Sequence, residues 1–236
     1  MYYYGFDWTY LIFVLPCIII SLICQIKVKS AFSKYSEIPN SRRMTGAQAA
    51  EYVLQKNNVT GVRIERVAGN LTDHYDPRTN VIRLSESVYS NPSVAAVGVA
   101  AHEAGHAVQD AVGYVPNKIR SAILPVAQIG SKVSWILLII GFLFAFRTDN
   151  PIGRYILYAG IILFAASVLF TVATLPVEFD ASRRALKTIR ESGMFSQEEY
   201  NGTKSVLQAA AMTYVASALT AIMQLVRLLL LARRRD

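Results

Sequence analysis

Four stretches of this chain contain no Asp, Glu, Lys or Arg: Trp8 to Ile26, Val133 to Phe146, Tyr155 to Val177, and Ser205 to Val226. Nothing else in the sequence constrains the fold as strongly. A helix crossing the hydrocarbon layer needs roughly 20 predominantly apolar residues, and a backbone inside lipid must bond to itself, which favours helices. The first and third stretches meet that length directly. The second does so if it begins near Gln128 and Lys132 lays its aliphatic stem back towards the headgroups. The fourth carries Gln208, Thr213, Ser217, Thr220 and Gln224, then Arg227, so it either crosses or packs on a polar domain or the interface. The hydrophobic content of the 236 residues, 53%, exceeds that of ordinary soluble domains and agrees.

The first stretch reads as a retained anchor, since nothing basic precedes it and no small-residue cleavage site follows. Trp8, Tyr10 and Tyr2 to Tyr4 suit an interfacial aromatic belt. Cys17 and Cys24 lie two turns apart on one helix, too far apart to bridge, and read as packing residues. The formal charge of +8 invites a nucleic-acid partner, but its placement points to the lipid bilayer instead. Lys27, Lys29, Lys34, Arg42 and Arg43 follow the first span and none precedes it, which puts the next loop in the cytoplasm. Arg183, Arg184, Lys187 and Arg190 after the third span agree. Arg147, Arg154 and the tail Arg233 to Arg235 pull the other way.

The chain divides into an anchor (1–29), a polar region (30–120), a transmembrane hairpin (121–177), a further helical segment (178–204) and a C-terminal apolar helix with a basic tail (205–236). In the polar region Thr45 to Lys56 predicts a short amphipathic helix capped by Thr45. Val62 to Val67 and Val81 to Leu84 alternate as strands do and predict a small antiparallel sheet. Asn91 and Pro92 read as a cap and first turn, and Gly113 as a stop, which predicts a helix over about Ser93 to Val112.

That helix holds AAHEAGHAVQD, with two of the chain's three histidines four residues apart. On a helix His102 and His106 share a face and can hold one metal ion, and Glu103 beside them can reach a water on that ion. Two histidines stacked on an Ala/Gly-rich face as structural residues would leave several polar atoms needing partners. The small Ala104, Gly105 and Ala107 suit a helix packed tightly against another. Hydrolytic zinc usually takes three protein ligands. His74, in a turn, and Glu178, directly after Pro176 and the third span, both qualify. Glu178 is the better candidate, because small residues (Ala181, Ser182, Ala185) follow it along a helical segment that it begins.

HEAGH on one helix, a pair of spans and then EFDAS resembles the integral-membrane zinc metallopeptidases that include bacterial HtpX and yeast Ste24. The chain is most similar to the small bacterial YugP-like family of neutral zinc metallopeptidases, through AAHEAGHA, SRRAL and AAAMTYVASALT. The resemblance to that family spans nearly the whole chain. It implies one zinc ion held by His102, His106 and Glu178, with Glu103 as general base. It also implies a mainly α, integral-membrane protein whose zincin-like catalytic domain carries the small sheet. Where the wider group ends its motif in Asp, this chain has Ser182, and Asp180 stands two positions earlier, facing a different way from Glu178.

The expected activity is a zinc-dependent endopeptidase of the bacterial plasma membrane. Its catalytic region would be cytoplasmic, and it would act on membrane proteins and their exposed tails. An extended substrate would pair with the open edge of the Val81 to Leu84 strand. His74, Tyr75, Tyr114 and Tyr214 are candidate donors to the tetrahedral intermediate. Two other readings remain: a site-2-type intramembrane protease, which would draw an Asp ligand from near a span with Asp149 as candidate, and a non-catalytic zinc-binding scaffold. A metal transporter fits poorly, because its path needs ionisable groups within the spans.

Overall fold

The computed structural model describes residues 8–147 and 151–233, the side chains of 145–147 excepted. Asp149, Tyr2 to Tyr4 and the arginines at 234 and 235 lie outside the described residues. After a short π-helical stretch, Tyr10–Val14, the elements run α1 (Leu15–Ser36), α2 (Gly46–Lys56), β1 (Arg63–Val67), β2 (His74–Asp76), β3 (Val81–Ser85), α3 (Glu86–Tyr89), α4 (Val94–Ala111), α5 (Val115–Arg147), α6 (Pro151–Ser192) and α7 (Gln197–Arg233). The described residues form two compact units, 24–118 with 175–213, and 8–23 with 119–147, 151–174 and 214–233.

In the first of these, α2 begins as expected. Thr45 accepts from the Gln48 N–H while the Gln48 side chain accepts from the Thr45 N–H, a reciprocal capping box. The helix α4 begins later than Asn91 and Pro92 suggested. Ser93 is its N-cap, accepting from the Ala96 N–H, because Val94 and Asn40 tie this point to the backbone of Ile38 and Pro92. It ends at Gly113, whose φ of +65° is the left-handed conformation that closes a helix. A core of Val53, Leu54, Ile82, Leu84, Val88, Val97 and Val108 forms where the Ala-rich α4 packs on α2 and the sheet.

The sheet is mixed rather than antiparallel. Its order is β1-β3-β2, with β1 parallel and β2 antiparallel to β3. The turn-rich stretch after β1 itself supplies a strand, β2, which returns to β3 through a tight hairpin. Asp76 organises that hairpin by accepting from the Arg78 N–H and the Thr79 hydroxyl. β1 therefore pairs along the other side of β3. As a result Val81 to Leu84 is the central strand, paired on both edges, and has no open edge for a substrate. The outer edges of β1 and β2 are the unpaired ones among the described residues.

The second unit is built from helical segments alone. Four helices of the chain are long and apolar enough to cross a membrane, α1 with its π-helical start, α5, α6 and α7, so the doubtful fourth stretch is part of a helix of spanning length. Leu138, Leu157, Ile161, Phe164, Val168 and Leu228 form the core here. At Gly141 a Cβ would lie 2.6 Å from the backbone of Leu157, so only glycine lets α5 and α6 approach this closely.

The third span and the segment after it, as far as Ser192, are one continuous helix. Pro176 sits inside α6 rather than before a new helix, so Glu178 is mid-helix and no helix-start dipole accounts for it. The expected boundaries at 177 and 204 mark changes of composition along unbroken helices.

Candidate metal centre

The centre is built from α4 and from the part of α6 after residue 174, both of which belong to the first unit. His102 and His106, one turn apart on α4, turn their rings to the same side, with centroids 4.7 Å apart and planes at 81°. Facing them on α6 is Glu178, 3% exposed. Its Oε2 lies 3.4 Å from His102 Nε2 and 3.5 Å from His106 Nε2. The ligand atoms all lie within 4.8 Å of one another, and among the described residues this is the one such group of three His, Cys, Asp or Glu side chains.

Gly105 makes that convergence possible. A Cβ there would stand 2.6 Å from the Ala181 carbonyl oxygen, a backbone atom that cannot step aside. The second variable position of the motif is thus the contact point between the two helices.

The donor set fits zinc. Two imidazole nitrogens and one carboxylate oxygen are the His₂Glu ligands of hydrolytic sites, and bonds of about 2.0–2.1 Å in a tetrahedral arrangement put ligand atoms roughly 3.3 Å apart. The carboxylate oxygen's separations from the two ring nitrogens, 3.4 and 3.5 Å, are close to that spacing.

The remote nitrogens of both rings have partners. His102 Nδ1 lies 3.0 Å from Ser182 Oγ, so the residue that replaces the wider group's Asp does touch a histidine of the pair. His106 Nδ1 lies 3.1 Å from Gln109 Oε1. The Gln109 amide donates to the Val177 carbonyl (2.8 Å) and to Asp180 Oδ2 (3.0 Å). Arg183 and Arg184 both bond to the same Asp180 carboxylate. Asp180 does face away from the metal ligands, as its spacing suggested, yet Gln109 is long enough to connect it to His106. Gln109 went unremarked in the sequence, although it is part of the AAHEAGHAVQD run.

Glu103, 8% exposed, follows His102 on α4. Close by is Asp73, which accepts from the Ser85 N–H (2.7 Å) and hydroxyl. Burial pushes the Asp73 carboxyl above its ordinary 3.8, the Ser85 bonds pull it back, and the Glu103 charge pushes it up further. Asp73 carries no signal in the sequence beyond its place in a turn-rich stretch.

The remaining candidates stand elsewhere. His74 lies on β2, exposed, its Nδ1 2.9 Å from the Thr72 carbonyl, and is not in the ligand group. Tyr75 donates to Asn80 Oδ1 (2.9 Å) and Asp110 Oδ2 (3.3 Å); burial, then Asp110, pushes its phenol upward. Tyr114 carries the Arg184 guanidinium over its ring at 5.6 Å. Tyr214 belongs to the other unit.

Comparison with known proteins places the chain in a family. The profile of a family described as "Putative neutral zinc metallopeptidase" matches residues 10–233. A Bacillus subtilis (strain 168) protein described as "Putative membrane protease YugP" is 44% identical over 212 residues, covering 90% of this chain and 91% of the relative. The chain belongs to that zinc metallopeptidase family. No solved structure matches it significantly.

Proposed function

We propose that the chain is a membrane-embedded zinc endopeptidase in which His102, His106 and Glu178 hold one ion and Glu103 is the general base. The observation that carries this reading is the convergence of two imidazoles from α4 and one carboxylate from α6, with a buried Glu in the next position along α4. Zinc in that set supplies Lewis acidity, which brings the proton loss of a water towards neutral pH and polarises a peptide carbonyl. Glu103 takes the proton of the attacking water and delivers it to the leaving amine. His102 and His106 keep Nε2 towards the ion because Ser182 and Gln109 occupy Nδ1.

Substrates are membrane proteins and membrane-proximal peptides. An extended segment pairs with the outer edge of β2, a strand that packs on α4. The protein lies in the bacterial plasma membrane with the catalytic unit in the cytoplasm. Support comes from Lys27, Lys29, Lys34, Arg42 and Arg43 after the first span and from the relative's description as a membrane protease.

The test is proteolysis of a co-reconstituted membrane substrate. Wild type should cleave it, and Glu103→Gln should lose about 10²–10⁴-fold in rate. Equal cleavage by both removes the mechanism, and cleavage by neither favours the scaffold reading. Zinc content should fall from one ion to none in His102→Ala and in Glu178→Ala and should persist in His74→Ala.

A further inference from the structure

We infer that the cleft between α6 and α7 holds an anionic phospholipid, its acyl chain on the apolar walls and its phosphate among the cations at the rim. The inference goes beyond the proposed peptidase and uses the membrane placement of the chain, not the metal.

The cleft has a volume of about 980 Å³, at the upper end of the roughly 300–1,000 Å³ of small-molecule sites. Both of its walls belong to the first unit. Phe179 and Leu186 on α6 and Leu207, Ala211 and Met212 on α7 give it an apolar lining, yet Phe179 and Met212 are left about half exposed. Arg183, Lys187 and Arg190 stand on the α6 side against one carboxylate, Glu191. Lys187 meets Glu191 at 3.8 Å as an exposed pair, which holds little energy and yields to a phosphate. Arg190 stacks on the Tyr200 ring at 5.9 Å, a contact that engages the guanidinium face rather than the N–H donors at its edge. Arg183 bonds to Asp180.

Sequence places this cleft at headgroup depth. The uncharged run of α6 ends at Val177, just before the wall begins at Phe179, and that of α7 begins at Ser205, inside the wall from Tyr200 to Met212. Crossing helices change from apolar to basic where they meet the headgroups, and a basic pocket between them at that level attracts anionic lipid. A peptide is the rival occupant, since Ser182 also lines the cleft and touches His102. Both walls are helices, whose N–H and C=O groups bond within their own helix, so an extended peptide would find no backbone partners along them. An acyl chain has no such groups to satisfy. A free phosphate would leave the apolar walls uncovered.

The test is photolabelling of the full chain in phosphatidylcholine vesicles that carry a trace of phospholipid with a photoactivatable acyl chain, under either a phosphatidylglycerol or a phosphatidylcholine headgroup. At trace level, labelling of peptides covering 179–191 and 200–212 tracks affinity. The phosphatidylglycerol probe should label them at least about fivefold more strongly than the phosphatidylcholine probe, while peptides from 155–174 take up both alike. Lys187→Gln and Arg190→Gln, at exposed positions outside the bonds of Asp180, should each lower the phosphatidylglycerol labelling about fivefold and leave the zinc content unchanged. Equal labelling by the two probes, or a phosphatidylglycerol preference that survives both substitutions, overturns the inference. So does loss of the preference in inorganic phosphate at matched ionic strength, which would mark a simple anion site. Labelling of neither helix also overturns it and returns the cleft to a peptide. A chain that labels as expected but holds no zinc would reject the metal reading and leave the lipid site standing.

Discussion

Two glycine contacts in this molecule have nearly the same geometry and different consequences. Gly105 on α4 faces the Ala181 carbonyl, and Gly141 on α5 faces the Leu157 backbone, each with room for no more than a hydrogen. Around Gly105 the neighbouring side chains are imidazoles, carboxylates and a buried amide whose polar atoms are partnered. Around Gly141 they are Leu138, Leu157 and Ile161, and the outer faces of the same helices leave Ile136, Ile162 and Leu169 more than half exposed. Close approach in the spans gains only dispersion contacts, since lipid already solvates apolar groups. In the unit that holds His102, His106 and Glu178 the same approach sets the separation of those three side chains, and apolar burial there is driven by water.

The sharpest test of that contrast replaces each glycine by valine. Gly105→Val should abolish stoichiometric zinc, measured by metal analysis of the purified protein. Gly141→Val should lower the melting temperature yet keep the full zinc content. Loss of zinc in both would erase the distinction.

Next in size is a pair of truncations. Leu84→Ala, at a site with no exposure, should cost about 2–5 kcal/mol in the unit that holds the His102–His106–Glu178 group. Ile162→Ala, at a site 69% exposed, should stay within about 0.5 kcal/mol. Unfolding monitored in the same detergent compares them, and equal losses would mean that the span surface is packed rather than lipid-facing.

The smallest effect belongs to Asp73. Its carboxyl titrates above 3.8 in the folded protein, so the neutral form favours the fold; that stability is fully present below 3.8 and is lost as pH rises through the folded value. Asp73→Asn keeps an oxygen for the Ser85 N–H and removes the charge beside Glu103. It should melt slightly higher than wild type at neutral pH, with the advantage vanishing as pH falls towards 3.8. A lower melting temperature at neutral pH would show that the ionised carboxylate stabilises the fold.

The readable parts of the sequence were those governed by local pattern. The uncharged stretches, the Thr45 cap and the His102–His106 spacing each follow from a few consecutive residues. The three residues of β2 form a strand only because β3 lies beside them, and no periodicity can show in so short a run. The unbroken α6 was hidden because Pro176 ordinarily ends a helix, whereas here it sits at an exposed position inside one, with Val177 and Glu178 buried beside it. Ser182 and Gln109 were obscured for another reason: a hydroxyl and an amide look like ordinary polar residues until the helices meet and show which ring nitrogen each one faces.

The contact at Gly105 also bears on how HExxH should be searched. In a chain whose last ligand arrives on a helix passing this close, the second wildcard is not free, because a single extra methyl would collide with main-chain oxygen. Within such proteins the pattern narrows to HExGH. A match with a bulkier residue in that slot must bring its distant carboxylate along a different path.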